Sequence, residues 1–172
     1  KGTANHFGVS KKIDVYISSL SKGLGSFGGY AASKKNIIEF CVNKSKSFIY
    51  TSALPGILIQ DATKRFESKR ERNRKKLWKN IKKFSNGLKK MGFNVNSDSQ
   101  IFPIIIGKEK VTLEFGNYLF KNGIFAQPIR YPTVPRNYAR IRISITARLT
   151  DEHIEKSLSV LENAKKKFKL ND

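Results

Sequence analysis

The residue best suited to chemistry is Lys22, the single lysine in a loop rich in serine and glycine. The stretch SSLSKGLGSFGGY, residues 18–30, contains four serines and four glycines and follows an apolar run at Val15, Tyr16 and Ile17. Serine hydroxyls and glycine amides at the end of a buried strand can cradle a phosphate. The lysine amine would then be a counter-charge, or a nucleophile that forms a Schiff base with pyridoxal phosphate. The remaining alternative is a flexible surface loop without a function.

A second candidate is the alternating segment RIRISIT, residues 140–146. A strand with period two would place its isoleucines on one face, and Arg140 and Arg142 on the other. Two arginines on one face, just after a proline-rich turn, could hold a carboxylate through paired hydrogen bonds. The alternative is a solvent-facing side with ordinary surface arginines.

The other polar residues predict neither a metal site nor a catalytic triad. His6 and His153 are the only histidines, and Cys41 lies in the apolar pattern of a predicted helix, where we expect it to be buried. Without an acidic cluster, a zinc site lacks ligands. Thr51 and Ser52 precede a predicted helix start, where their hydroxyls could bind a phosphate or simply cap the helix.

The chain is strongly basic, with 34 Lys and Arg against 13 Asp and Glu and a formal net charge of +21. Thirteen of the basic residues, but only two glutamates, fall within residues 64–90. Such a charge favours nucleic acid or another anionic surface as a partner. A basic nucleic-acid-binding module is therefore the alternative from a different functional class. We favour a solvated helix face, because the basic residues lie opposite a predicted apolar stripe.

Composition places the chain among globular proteins. Hydrophobic residues make up 39% and aromatic residues 11%, which is enough to build a core. No apolar run approaches the length of about 18 residues that a membrane-spanning helix needs. A single cysteine cannot form an internal disulfide, which fits a reducing compartment. We therefore expect a cytoplasmic protein without membrane contact.

The apolar pattern predicts two bodies joined by a helix. The first body begins with a strand over 13–20, buried on both faces, and a short strand over 29–32. Ser33 is predicted to cap a helix that runs to about Asn43.

A long helix is then predicted from Pro55 to about Met91, and it has no apolar residue between Glu67 and Lys76. A helix that is polar on all sides usually bridges two packed bodies. The domains are therefore predicted as 1–70 and 71–172.

The second body is predicted to have the order β-α-β-β-α. Its elements are a strand over 101–106, a helix that stops at Asn122-Gly123, an extended segment over 124–129, the strand 140–146 and a last helix capped by Thr150. Helical spacing also predicts a buried stripe on the long helix that precedes this body and another on the last helix. The first stripe consists of Leu77, Trp78, Ile81, Phe84, Leu88 and Met91. The second consists of Ile154, Leu158, Leu161 and Phe168. His153, in the first turn of the last helix, is predicted to lie at the surface.

Taken together, these segments resemble the α-oxoamine synthase family of fold-type I pyridoxal-phosphate enzymes. The matching segments are His6-Phe7-Gly8, Asp14 through Ser19-Leu20-Ser21-Lys22-Gly23-Leu24-Gly25, Gly28-Gly29-Tyr30, Phe48-Ile49-Tyr50-Thr51-Ser52-Ala53-Leu54-Pro55, Tyr131-Pro132-Thr133-Val134-Pro135 and Ala139-Arg140-Ile141-Arg142. They cover almost the whole chain in the family order, which makes the resemblance specific. It implies an α/β fold: the C-terminal part of a large, mostly parallel-sheet domain that binds pyridoxal phosphate, a bridging helix and a small α+β domain.

The resemblance also implies roles for individual residues. Lys22 would be the catalytic Schiff-base lysine, and Ser19 a phosphate contact that is usually threonine in the family. Thr51 and Ser52 match the segment that reaches the phosphate from the neighbouring subunit of a homodimer. Arg140 matches the arginine that binds the substrate carboxylate. The implied cofactor is pyridoxal 5'-phosphate, with no metal.

The implied activity is an acyl transfer in which an amino acid condenses with an acyl-CoA thioester and loses carbon dioxide. The segment from Ile129 to Pro135, with Arg-Ile-Arg-Ile-Ser after it, is most similar to members that use L-alanine and pimeloyl-CoA in biotin synthesis. Glycine C-acetyltransferase and other α-oxoamine synthases share most of these motifs. The family's ring-pairing aspartate and ring-stacking histidine belong to a stretch before Lys1, so we expect this chain by itself to be inactive.

Overall fold

The computed structural model describes residues 2–68, 70–95 and 97–170. The chain forms two compact units, Lys1–Lys69 (unit 1) and Arg70–Asp172 (unit 2). Within the described ranges, no helix is both long and apolar enough to cross a membrane.

Unit 1 is built from one small hairpin-like sheet and several short helices. Its elements are helix α1 (Thr3–His6), a 3-10 turn (Ser10–Lys12), strands β1 (Val15–Ser19) and β2 (Gly29–Ser33), and helices α2 (Lys35–Lys44), α3 (Lys46–Ile49) and α4 (Gly56–Glu67). The two strands are antiparallel, with Val15 opposite Ser33 and Ser19 opposite Gly29. The glycine loop therefore connects two paired strands.

The predicted burial of β1 is wrong. Every residue of the strand is exposed, and Ile17 has 81% of its surface accessible. The strand pairs with β2 alone, and no described residue packs closely enough to bury either face. The apolar run therefore predicted the strand correctly but not its surroundings.

The predicted start of the helix after β2 also differs. Ser33 is not a cap: it ends β2, and its hydroxyl donates to the Asp14 carbonyl at 2.5 Å. Lys34 is the N-cap of α2 and provides no side-chain hydrogen bond. Competition from a backbone carbonyl of the neighbouring segment explains why the serine does not cap the helix.

The long helix predicted from Pro55 to Met91 is broken. Helix α4 ends at Glu67 and helix α5 (Arg70–Lys90) follows, with Ser68 in an extended conformation between them. The Ser68 hydroxyl donates to the Arg65 carbonyl at 2.7 Å, which satisfies one of the last carbonyls of α4. The break lies at the start of the stretch without apolar residues, where no side-chain burial favours a continuous helix.

Unit 2 has the predicted order β-α-β-β-α after α5. Its elements are β3 (Ile101–Gly107), α6 (Glu109–Lys121), β4 (Gln127–Ile129), β5 (Ala139–Ser144) and α7 (Asp151–Phe168). The strands are antiparallel in the order β3-β5-β4, so β5 is central. This confirms the predicted elements of the second body, including the helix end at Asn122-Gly123, where Gly123 has a φ of 81°.

The core of unit 2 combines one face of the sheet with α5, α6 and α7. Phe84 of α5 and Phe102 of β3 are fully buried, and their rings meet edge to face at 5.1 Å. Alternation in β5 buries Ile141 and Ile143 and leaves Arg142 exposed, as predicted. The predicted stripe of α5 is confirmed at Ile81, Phe84 and Leu88, which are buried. Trp78, in contrast, is 41% exposed and lies at the edge of the stripe.

Two polar residues fix the helices of unit 2. Asn80, which is 3% exposed, donates to the carbonyls of Thr146 and Leu149, both at 3.0 Å, and so ties α5 to the segment before α7. Thr150 caps α7 as predicted, because its hydroxyl accepts from the His153 amide at 3.2 Å. The exposed His153 completes the capping box, since its Nδ1 accepts from the Thr150 amide at 3.2 Å.

Candidate functional site

The loop that carries Lys22 is held by its own backbone. The Leu20 amide donates to the Gly28 carbonyl, and the Ser26 amide donates to the Leu20 carbonyl, both at 2.9 Å. The Gly25 amide closes a tight turn onto the Lys22 carbonyl at 3.1 Å. Gly25 has a φ of 68°, which glycine adopts without strain. Three backbone hydrogen bonds thus span the nine residues from Leu20 to Gly28.

Lys22 itself presents its amine to solvent. The residue is exposed, and in the described ranges no carboxylate forms an ion pair with it. A Cβ added at Gly23 would have no atom within 4 Å, so the space beside the lysine backbone is open. An unpaired amine next to open space is available to a ligand.

Ser19 and Ser21 form a pair of hydroxyls at the end of β1. Their Oγ atoms lie 2.7 Å apart, and the Ser21 amide donates to Ser19 Oγ at 3.2 Å. One of the two hydroxyls donates its hydrogen to the oxygen of the other, so the second hydroxyl still has a hydrogen that it can donate to a bound oxyanion. Ser19 is exposed, as a phosphate contact requires.

Thr51 and Ser52 lie in the segment that leads into α4, and both are exposed. Neither caps the helix, because the N-cap position is Pro55 and no side chain caps it. The same segment packs on the lysine loop: a Cβ added at Gly28, where φ is 99°, would come within 2.7 Å of Leu54 Cδ1. Helix capping alone therefore does not account for the two hydroxyls.

A group that sequence reasoning missed joins the lysine loop to α4. The Ser26 hydroxyl donates to Asp61 Oδ2 at 2.8 Å, and Arg65 Nε lies 2.8 Å from both oxygens of Asp61. Hydrogen bonds from Arg65 and Ser26 lower the pKa of Asp61 below its ordinary value. The only sequence signal was the spacing of Asp61 and Arg65, four residues apart on one helix face.

Arg140 lies in unit 2, on the sheet face opposite the core. It is half-buried on the central strand, between Ile105 of β3 and Ile129 of β4. Its Nε donates to the Tyr138 carbonyl at 3.1 Å. Arg142 follows on the same face, exposed and opposite Gln127. Neither guanidinium has a carboxylate partner among the described residues. Both arginines therefore lie on one face of the sheet, as predicted, and could bind the carboxylate of a ligand.

A pocket of about 490 Å³ in unit 1 lies beside β1 rather than around Lys22. It is lined by Gly2, Thr3, Ala4, Asn5, Ser10, Tyr16, Ile17, Ser18 and Tyr30. Ser19 and Lys22 are outside it. Cys41 is half-buried rather than buried as predicted, and no residue of α2 is fully buried. Within the part of the chain that the structure describes, no cluster of three His, Cys, Asp or Glu residues could hold a metal ion.

The family of the chain follows from comparison with known proteins. A family model described as aminotransferase class I and II matches residues 1–161, and the chain belongs to that family. Its fold is that of the fold-type I pyridoxal-phosphate enzymes, which confirms the predicted fold class. Pyridoxal phosphate is the cofactor of this class.

Individual relatives are consistent with that assignment. The chain is 38% identical over 173 residues to 8-amino-7-oxononanoate synthase of Thermoanaerobacter pseudethanolicus, covering 99% of this chain and 44% of the relative. A structure described as SPT with a PLP internal aldimine matches with a TM-score of 0.93 at 24% identity, over 99% of this chain and 44% of that one. The 8-amino-7-oxononanoate synthase structure from Francisella tularensis matches with a TM-score of 0.84 at 25% identity, over 98% and 51%. The chain thus spans about half the length, or less, of the proteins it matches, as their C-terminal portion.

The residues present in unit 1 fit pyridoxal phosphate by their chemistry. An exposed amine without an acidic partner suits its aldehyde, and the hydroxyls of Ser19, Thr51 and Ser52 suit its phosphate. The open space at Gly23 leaves room beside the lysine. No described contact in unit 1 contradicts this use of the loop.

Proposed function

We propose that the protein is a pyridoxal-phosphate-dependent acyltransferase that condenses L-alanine with pimeloyl-CoA, with decarboxylation, in biotin biosynthesis. The observation that carries the proposal is the exposed, unpaired Lys22 on a backbone-fixed glycine loop, in a chain of the aminotransferase class I and II family. The choice of substrates is supported by relatives named 8-amino-7-oxononanoate synthase. In this proposal residues 1–70 belong to the cofactor domain, and residues 71–172 form the bridging helix and small domain.

Each predicted residue then has a defined task. When bound, pyridoxal phosphate supplies an aldehyde for amines and a ring that accepts an electron pair. Lys22 Nζ would attach the cofactor and later take the proton from Cα of the amino acid. Ser19 donates a hydroxyl hydrogen bond to the phosphate. Thr51 and Ser52 do the same from the neighbouring subunit of a homodimer.

The arginine face of unit 2 would bind the carboxylate of the amino acid. Arg140 has two Nη atoms beyond the Nε that bonds to Tyr138, and these can form paired hydrogen bonds with a carboxylate. Its cross-strand neighbours are Ile105 and Ile129, so no acidic side chain lies directly opposite it on either strand. A fixed carboxylate restricts the orientation of the amino acid, and with it the direction of the reacting bonds at Cα.

Attachment of the cofactor is tested on the full-length protein. Mixing with pyridoxal phosphate should produce visible absorbance, and borohydride should then fix the cofactor mass on Lys22, as read by peptide mass spectrometry. Lys22→Ala should abolish this added cofactor mass. Lys11→Ala, which removes an exposed lysine outside the loop, should leave it unchanged. Unmodified Lys22 in a protein that shows the absorbance would overturn the assignment.

Substrate choice is tested by direct assay. We expect product from L-alanine with a pimeloyl thioester and none from glycine with acetyl-CoA or succinyl-CoA. Product only from a glycine reaction would support another α-oxoamine synthase activity instead. Binding to nucleic acid that weakens steeply with salt, in a protein without any of these activities, would support the basic-module alternative.

The carboxylate site is tested with Arg140→Lys and, as its neighbour on the same face, Arg142→Lys. Lysine keeps the charge but loses the planar fork, so Arg140→Lys should raise KM for the amino acid by about tenfold or more. KM for the acyl thioester should change little. A raised KM in Arg142→Lys alone would show that the assignment of Arg140 is wrong and that Arg142 binds the carboxylate.

A further inference from the structure

We propose that Asp61 is a positioning residue that clamps the Lys22 loop to helix α4 through Ser26 and Arg65. The effect of this clamp on the cofactor rests on the proposed function, whereas the clamp itself does not. Ser26, Asp61 and Arg65 all lie outside the segments on which the family resemblance rests.

The contacts of Asp61 account for both of its oxygens. Oδ2 accepts from the Ser26 hydroxyl, and both oxygens lie within 2.8 Å of Arg65 Nε. Arg65 also covers the loop itself, since a Cβ added at Gly25 would lie 3.4 Å from Arg65 Nη1. The helix therefore contacts two successive loop residues, Gly25 and Ser26, through one charged pair.

Backbone hydrogen bonds connect these two loop residues to Lys22 and to Leu20. The Gly25 amide bonds to the Lys22 carbonyl, and the Ser26 amide bonds to the Leu20 carbonyl. Fixing Ser26 therefore fixes the backbone on both sides of the lysine. A segment with glycines at 23 and 25 has unusual backbone freedom, so an external anchor limits it more than it would limit an ordinary turn.

The charge state suits a permanent anchor. An aspartate is ionised near neutral pH at its ordinary pKa, and the hydrogen bonds from Arg65 and Ser26 lower the pKa of Asp61 further, so its carboxylate stays ionised into mildly acidic solution. Leu54, just before α4, provides a second contact with the loop, at Gly28. Helix α4 and the segment leading into it thus hold the loop at two places, one polar and one apolar.

The test uses the full-length protein with Asp61→Ala, and with Ser26→Ala and Ser26→Thr as a pair that removes or keeps the hydroxyl. Glu39→Gln is the matched control, because Glu39 forms an i,i+4 pair with Lys35 on α2 without touching the loop. Hydrogen exchange of the peptide over residues 20–28 reports the clamp directly. Borohydride trapping of pyridoxal phosphate on Lys22 reports positioning of the amine.

We expect Asp61→Ala and Ser26→Ala to speed exchange at the Leu20 and Ser26 amides by about tenfold, the effect of losing one hydrogen bond to a charged group. The trapped fraction of Lys22 should fall at a fixed, subsaturating cofactor concentration. Ser26→Thr and Glu39→Gln should resemble the wild type in both measurements.

Unchanged exchange in folded Asp61→Ala and Ser26→Ala would overturn the clamp. Faster exchange with wild-type trapping would overturn its role in positioning Lys22. If Lys22 is not trapped even in the wild type, the proposed function fails, and exchange still decides whether the clamp exists.

Discussion

Unit 2 packs helices α5, α6 and α7 with its sheet around one core, whereas unit 1 leaves both strands of its small sheet open. All the buried hydrophobic residues of the described chain fall between Ile81 and Ala164. In unit 1, no described residue is buried, and Ile57 has 75% of its surface exposed. The candidate residues divide in the same way: Lys22 lies in the open unit and Arg140 on the packed one.

This difference separates two ways of holding a functional side chain. Arg140 projects from the central strand of a packed sheet, so the core below the strand fixes its position. Among the described residues no core lies beneath Lys22, and its position depends on backbone hydrogen bonds and the contacts of α4 with its loop. A substitution in the core should therefore be costly in unit 2, whereas single polar contacts matter most in unit 1.

The largest expected contrast is between Phe84→Ala and Ile57→Ala. Phe84 is fully buried and contacts the Phe102 ring, so its truncation should lower the free energy of unfolding of unit 2 by about 3–5 kcal/mol. Ile57 is largely exposed, and its truncation should change stability by less than about 0.5 kcal/mol. Urea unfolding measures both. Similar costs for the two variants would show that the two units are packed alike.

Replacing a glycine by alanine in each unit should give a smaller difference in stability between the units. In unit 2, a Cβ at Gly116 would come within 2.6 Å of Pro128 Cγ, and the rigid proline ring cannot move aside. Gly116→Ala should therefore cost about 1–3 kcal/mol. In unit 1, a Cβ at Gly56 would meet nothing within 4 Å, so Gly56→Ala should be neutral or slightly stabilising. A destabilised Gly56→Ala in urea unfolding would contradict an open surface at the start of α4.

The smallest effect should come from acid titration. Hydrogen bonding from Lys83 lowers the pKa of Asp151 in unit 2, as the hydrogen bond from Arg65 lowers that of Asp61 in unit 1. Because the folded pKa is below the ordinary value of 3.8, each carboxylate stabilises the fold above pH 3.8. That contribution is lost as the pH falls through the lowered value.

Asp151→Asn and Asp61→Asn should therefore each flatten the acid side of the stability profile. For Asp151→Asn the change should appear in unfolding of unit 2, since Lys83 joins α5 to α7 through Asp151 and Glu155. For Asp61→Asn it should appear in exchange of the 20–28 peptide alone. A steeper loss of stability in acid in either variant would show that the carboxylate does not stabilise the fold in its ionised form.

The motifs of the candidate site could be predicted from sequence because each is local. The glycines around Lys22, and the alternation that places Arg140 and Arg142 on one face, depend on residues next to one another in the chain. The contact of Ser26 with Asp61 joins residues 35 positions apart and has no local pattern. The break at Ser68 was missed for a related reason, because helical propensity is high on both sides and only the lack of burial favours an end there.

By itself, the sequence determined the strands and helices of unit 2, the cap at Thr150 and the serine and glycine loop that presents Lys22. Periodicity and turn chemistry act over a few residues, so they can be recognised from neighbouring positions in the chain. Only the tertiary structure decided that β1 is exposed although its sequence is apolar, since burial depends on what packs against a strand. It also decided that Asp61 holds the lysine loop, because that contact exists only once α4 lies against the loop between β1 and β2.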